Sequence, residues 1–226
     1  MADDGALWIF GYGSLMWRPE IPFVERHVAS VAGLHRAFCV SSTHHRGTEA
    51  RPGLVLGLDS GGCCTGVSYR IANECRRATV DYLRERELIY GVYRPARITV
   101  RLDGEHREVT ALAYIVERAH PSYEGRLALH EQARRIRQAR GVSGNNLDYL
   151  INTVNQLGEL GIRERALERL VAIAAGPARR GPTTDTVRPA VEGLRAVWAR
   201  HPMRTSALTR DQRRRFCYRW RIGSEG

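Results

Sequence analysis

Apolar residues in this chain fall first into short runs with strand-like spacing and later into stripes with helical spacing. Runs over 7–13 (LWIFGYG), 28–42, 54–59, 63–71, 94–102 and 108–116 are each bounded by Gly, Pro or Asp, and 97–102 alternates as a half-buried strand does. One helix interrupts them, from about Asn73 to Leu88, with Asn73 placed to cap it ahead of Glu74. Beyond Pro121 the period changes, and 126–140, 146–160 and 163–175 read as helices ended by Gly141, Gly161 and Gly176. The stretch 178–189 is rich in Gly, Pro and Thr and reads as a linker. Two short basic helical patterns follow at 191–200 and 206–220, the second opened by a capping box of Thr209 and Gln212. Strands first and helices after, with few alternating units and no internal repeat, point to an α+β fold with a barrel-like mixed sheet rather than a doubly wound parallel one. The expected organisation is a domain over 1–176 and a linker with a basic helical extension over 177–226.

Composition narrows the chemistry. The 226 residues are 43% hydrophobic and 26% charged, the profile of a soluble globular protein of one or two domains. All 35 basic residues are arginine. Without lysine there is no Schiff-base catalysis, no Walker A phosphate lysine and no Ser-Lys dyad, so pyridoxal enzymes and P-loop NTPases are excluded. The net charge of +11 is uneven: 1–176 holds 23 Arg and 20 acids, a net of +3, whereas 177–226 holds 12 Arg and 4 acids, a net of +8. The N-terminal MADDGALWIF carries acids where a secretory signal needs basic residues, and no stretch of eighteen apolar residues exists. The cysteines at 39, 63, 64, 75 and 217 are odd in number and lack CxxC or zinc-finger spacing, so neither a disulfide framework nor structural zinc is expected. A reduced, cytoplasmic protein is the expectation.

Three segments carry candidate chemistry. In Gly11-Tyr12-Gly13-Ser14-Leu15, directly after an apolar strand, two glycines let the backbone turn sharply, and N–H groups fanned around such a turn cradle an anion. The third glycine of the dinucleotide fingerprint is missing, since Met16 stands there, and Ser14 is not in a nucleophile elbow. The same pattern also describes an ordinary strand-exit turn. In the helix near residue 80, Glu87 projects on the apolar side between Val80 and Leu83 and Glu85 nearly opposite. An inward carboxyl beside apolar walls has its ionised form disfavoured, which suits proton transfer near neutral pH. An ion pair with Arg76 or Arg86 is the structural alternative. In Ser41-Ser42-Thr43-His44-His45-Arg46-Gly47, Arg46 offers a planar fork for a carboxylate, while adjacent histidines in extended chain point apart, so no metal site is expected there or elsewhere. Cys63 and Cys64 read as packing residues, Tyr114 as a strand tyrosine able to donate into a pocket, and Gly144-Asn145-Asn146 as a turn with an Asn cap.

Trp8-Ile9-Phe10-Gly11-Tyr12-Gly13-Ser14-Leu15-Met16-Trp17-Arg18-Pro19, Thr43-x-His45-Arg46-Gly47, Arg86-Glu87, Ala113-Tyr114 and Ser143-Gly144-x-Asn146-x-x-Tyr149-Leu150, in this order and spacing, resemble the ChaC family of γ-glutamylcyclotransferases, which act on glutathione. The resemblance covers about 7–155. It implies a small mixed β-barrel flanked by helices and a reaction without metal or cofactor, in which the γ-glutamyl amide is cleaved by its own α-amine to give 5-oxoproline and cysteinylglycine. By resemblance, Tyr12, Gly13, Ser14 and Leu15 bind the γ-glutamyl group, Glu87 is the catalytic acid/base, and Arg46 and Tyr114 contact substrate or assist. The expected partner is thus a small molecule, with no membrane.

The chain departs from the family pattern at Val40-Ser41, after Glu87 and at 123–128. These positions bear on substrate identity more than on the reaction. An alternative function is a basic protein docking nucleic acid or an acidic partner through 190–221, where Trp198, Phe216, Tyr218 and Trp220 are interleaved with arginines.

Overall fold

The computed structural model describes residues 6–88, 91–105 and 107–176, so the expected linker and basic extension, and with them the proposed docking segment 190–221, lie outside the described residues. Five strands close into a barrel: β1 (Leu7–Gly11), β2 (Glu25–Ser42), β3 (Gly53–Ile71), β4 (Tyr93–Leu102) and β5 (Arg107–Val116), in the order β1-β3-β2-β4-β5. β1 runs antiparallel to β3, from Leu7↔Ile71 to Gly11↔Val67, and parallel to β5 at Trp8↔Ala111 and Ile9↔Leu112. β4 and β5 form a hairpin from Tyr93↔Val116 to Leu102↔Arg107, and β4 meets β2 at Ala29↔Leu102. The α+β barrel expected from the order of elements is what the chain forms.

One boundary differs. The runs 54–59 and 63–71 read as two strands because Ser60-Gly61-Gly62 looks like a turn, yet β3 is continuous. Gly61 and Gly62 take φ of +99° and +69°, values glycine reaches without a steric penalty, so the strand bends there instead of ending.

Contacts divide the described residues into two compact units, one of 6–37 and 57–120, the other of 38–56 and 121–176. In the first, Trp8, Ile9, Phe10, Val67, Tyr69, Val100, Ala111 and Ala113 are buried. A 3-10 turn at Asn73–Cys75 leads into α1 (Arg76–Glu87), which buries Thr79 and Leu83. The expected cap does not form: Asn73 is the first residue of the turn, Ala72 precedes it, and no side-chain bond closes the end.

The second unit contains α2 (Leu129–Gln138), α3 (Asn146–Glu159) and α4 (Arg165–Ala175), whose apolar faces bury Ile136, Leu150, Val154, Leu157, Leu170 and Val171. α2 packs on both α3 and α4. Two-residue strands, β6 (Arg140–Gly141) and β7 (Gly144–Asn145), take the place of the last turn expected for α2. Asn146 does not cap α3. Its side chain is fully buried and makes two bonds to the main chain of Leu54, accepting the Leu54 N–H at Oδ1 and donating from Nδ2 to the Leu54 carbonyl, each at 2.7 Å.

Among the described cysteines, Cys39, Cys63 and Cys64 are not disulfide-bonded. Among the described residues no helix is long and apolar enough to cross a membrane.

Candidate active site

β1 ends at Gly11, and the chain turns through Tyr12 and Gly13 into a 3-10 turn, Ser14–Met16. The carbonyl groups of this turn are held from within the protein. Arg36, only 6% exposed, donates from Nε to the Tyr12 carbonyl and from Nη2 to the Thr65 carbonyl at 2.7 Å. The Tyr69 hydroxyl lies 2.9 Å from the carbonyl oxygens of both Leu15 and Met16. Close approach requires glycine here: a Cβ on Gly11 would stand 2.9 Å from that of Leu15, and one on Gly66 would overlap the Gly11 carbonyl oxygen. The first donor used inside the turn is the Met16 N–H, bonded to the Gly13 carbonyl at 2.9 Å. The N–H groups of Gly13, Ser14 and Leu15 precede it, where a helical start supplies no carbonyl for them.

Glu87 closes α1, one turn beyond the buried Leu83, and so lies on the same face of the helix, whereas Glu85 is exposed. The Glu87 side chain is 18% exposed and its Oε1 is 3.3 Å from Arg86 Nε. Burial pushes its pKa above the ordinary carboxylate range, and the Arg86 charge opposes this. The result is a carboxyl group that exchanges its proton closer to neutrality than a solvated one.

Tyr114 sits on β5. Extending the β1–β5 register by two residues along both strands sets it level with Gly11. Its hydroxyl is buried and has no hydrogen-bond partner among the described residues. Burial first, and then the negative charge of Glu87, push its pKa up to about 12, with Arg84 opposing. Ser14, Glu87 and Tyr114 thus belong to one neighbourhood of the first unit, linked through Arg86 and through charge.

Arg86 is the site residue that sequence reasoning undervalued, treating it only as an ion partner for Glu87. Its Nη2 donates to Ser14 Oγ at 2.9 Å, and its Nη1 reaches the Tyr82 hydroxyl at 3.1 Å, the Arg18 carbonyl at 3.2 Å and Glu20 Oε2 at 3.3 Å. The available signal was Tyr82 and Arg86 four apart, on one helix face. Arg36 was missed as well, although a charged residue alternating with Phe38 and Val40 in an apolar strand marks an inward position.

Arg46 belongs to the second unit. Its N–H donates to Ser42 Oγ at 3.0 Å, its Nη1 donates to the Ser143 and Asn145 carbonyls at 2.6 and 3.3 Å, and its guanidinium lies 5.0 Å from the Tyr149 ring centre. His44 and His45 do not point apart as extended chain would require. Their rings meet edge-on at 5.1 Å because the loop bends there, and His45 Nδ1 lies 3.1 Å from Ser143 Oγ. Burial, and then the charges of His44 and Arg46, lower the His45 pKa. Among the described residues no three His, Cys, Asp or Glu side chains converge as a metal site would need.

Residues 7–175 match the family model described as ChaC-like protein. The chain is 40% identical over 169 residues to a glutathione-specific gamma-glutamylcyclotransferase from Escherichia coli (strain K12), covering 75% of this chain and 73% of that one. It is 39% identical over 152 residues to a glutathione-specific gamma-glutamylcyclotransferase 1 from Homo sapiens, covering 66% and 68%. A crystal structure of a yeast gamma-glutamyl cyclotransferase specific to glutathione shares the fold, with a TM-score of 0.69 at 24% identity over 75% of this chain and 96% of that one. With the barrel, the glycine turn and the inward Glu87 in place, and the match running from the first strand to the last described helix, the chain belongs to the ChaC-like family.

Proposed function

We propose that this protein is a γ-glutamylcyclotransferase that cleaves glutathione, with Glu87 moving the protons. One observation carries the assignment of roles: a shielded carboxyl group of raised pKa stands beside an arginine that also holds the serine of the glycine turn. The names of the relatives support the substrate.

The chemistry follows from what these groups offer. The α-amine of a γ-glutamyl group is an ammonium at neutral pH and cannot attack. Glu87, as carboxylate, takes one proton and frees the nitrogen lone pair. That nitrogen bonds to the γ-carbonyl carbon and closes a five-membered ring, a step whose entropy is largely prepaid because nucleophile and electrophile share one molecule. The bond from the γ-carbon to the cysteine nitrogen then breaks. Both protons lost by the attacking amine end on the leaving nitrogen, relayed by Glu87, which returns to carboxylate as 5-oxoproline and cysteinylglycine depart.

Tyr12, Gly13, Ser14 and Leu15 are assigned to holding the γ-glutamyl group through main-chain N–H groups and the serine hydroxyl. Tyr114, whose hydroxyl lacks a partner among the described residues, is assigned as a donor to substrate. Arg46 is retained as a proposed substrate contact on the strength of its motif. The docking alternative through 190–221 gains no support from the comparisons. Incubation with glutathione and a panel of γ-glutamyl dipeptides, with 5-oxoproline as readout, tests the assignment. Release by the native chain and none by Glu87→Gln is expected, and no release from any of these substrates by the native chain would overturn it.

A further inference from the structure

Arg86 faces the site with one edge and a small surface network with the other. Glu20 Oε2 accepts the Tyr82 hydroxyl proton at 2.7 Å and pairs with Arg86 Nη1 at 3.3 Å, although the Glu20 side chain is 65% exposed. The Tyr82 oxygen in turn accepts from Arg86 Nη1 at 3.1 Å. Burial, and next the bond to Glu20, keep the Tyr82 proton on its oxygen to higher pH than usual. An ion pair this exposed adds little to stability. Yet Glu20 is the non-glycine residue among the described ones that takes a positive φ, 49°, a conformation that costs free energy and persists only where the surroundings hold it.

The direction of the hydrogen bonds shows what the network does. A guanidinium only donates, so at 2.9 Å Ser14 Oγ accepts from Arg86 Nη2. The proton of the Ser14 hydroxyl is left to point at some other acceptor, and Ser14 makes no other side-chain bond among the described residues.

We propose that Glu20, acting through Tyr82 and Arg86, is a positioning residue of the reaction: it locks the Arg86 fork so that Ser14 presents its proton, not a lone pair, to an acceptor oxygen of the γ-glutamyl group. The inference rests on the γ-glutamylcyclotransferase reading. A residue at the surface, outside the glycine turn, thereby sets the polarity of the binding turn.

The test is a double-mutant cycle on the full chain, with kcat and KM for glutathione measured for Glu20→Ala, Ser14→Ala and the double variant. Glu20→Ala is expected to raise KM about five- to tenfold with kcat within about twofold. On a Ser14→Ala background the same change is expected to add less than about 1.5-fold, because both act through one hydrogen bond. Tyr82→Phe, which keeps the ring and its packing, should raise KM in the same way. A Glu20→Ala protein with native KM overturns the proposal, and so does full multiplication of the two single effects. A native chain that releases no 5-oxoproline fails differently, taking the cyclotransferase reading down as well.

Discussion

The buried hydroxyl of Tyr114 has no hydrogen-bond partner among the described residues, and the side-chain charge that most disfavours its ionisation is the carboxylate of Glu87. A buried donor left unbonded costs about 1–3 kcal/mol. Tyr114→Phe removes the oxygen and keeps the ring, so thermal denaturation should show an unchanged or higher melting temperature. In the proposed complex the same hydroxyl serves the substrate, so kcat/KM for glutathione should fall about tenfold or more. A less stable Phe variant with native turnover would contradict both expectations.

Glu87→Gln is nearly isosteric but accepts no proton. The 5-oxoproline assay should show kcat down by about 10²–10⁴, while Glu85→Gln, on the exposed side of α1, stays within about twofold of native. Because the proposed role needs Glu87 ionised at the start and its pKa is raised, the acid limb of the native kcat/KM profile should lie above the ordinary carboxylate range.

Stability should carry the same signature with a definite sign. Folded Glu87 holds its proton to higher pH than the unfolded chain does. Its contribution is therefore fully present below the unfolded pKa and is lost as pH rises through the folded one. Glu87→Gln escapes that loss. Urea denaturation should find the variant more stable than native at pH 8 and the gap closed at about pH 4 and below. A gap that widens on acidification would reverse the assignment of burial as the dominant cause.

In the second unit, Asn146→Ala removes two buried bonds of 2.7 Å and leaves both main-chain groups of Leu54 unsatisfied. The expected destabilisation is about 2–4 kcal/mol, read from denaturant midpoints. Asn146→Asp should not rescue it, since a carboxylate would set an acceptor against the Leu54 carbonyl.

Tyr69→Phe tests the support of the turn. It releases the carbonyls of Leu15 and Met16 while keeping a buried ring, and should raise KM several-fold with a stability loss of about 1 kcal/mol. An unchanged KM would show that the turn holds its shape without this bond.

What could be read in the sequence follows from the range of each interaction. Strands and long helices show themselves in local periodicity, so the barrel strands, α3 and α4 were placed to within a few residues. The inward side of Glu87 was legible because a helix fixes which residues share a face. The continuity of β3 was hidden, since Gly61 and Gly62 look identical whether they end a strand or bend it, and β6 and β7 are too short to show a period. Arg36 and Arg86 escaped for another reason: a long guanidinium side chain acts wherever its tip arrives, and Arg86 lies 72 residues from Ser14. The fully buried Asn146, paired with a residue 92 positions away, is beyond any local rule.

β1 precedes the other barrel strands and is completed last. One edge pairs with 67–71, but the other waits for Ala111 and Leu112 of β5, its parallel neighbour, so the strand leading into Ser14 keeps an open edge until β5 is made. Pairings this distant in sequence are slow to form. A molecule in which β5 has not yet paired carries every residue of the glycine turn, but it has no Tyr114 alongside and no closed sheet beneath. On the proposed roles, barrel closure and the assembly of the catalytic groups are therefore one event.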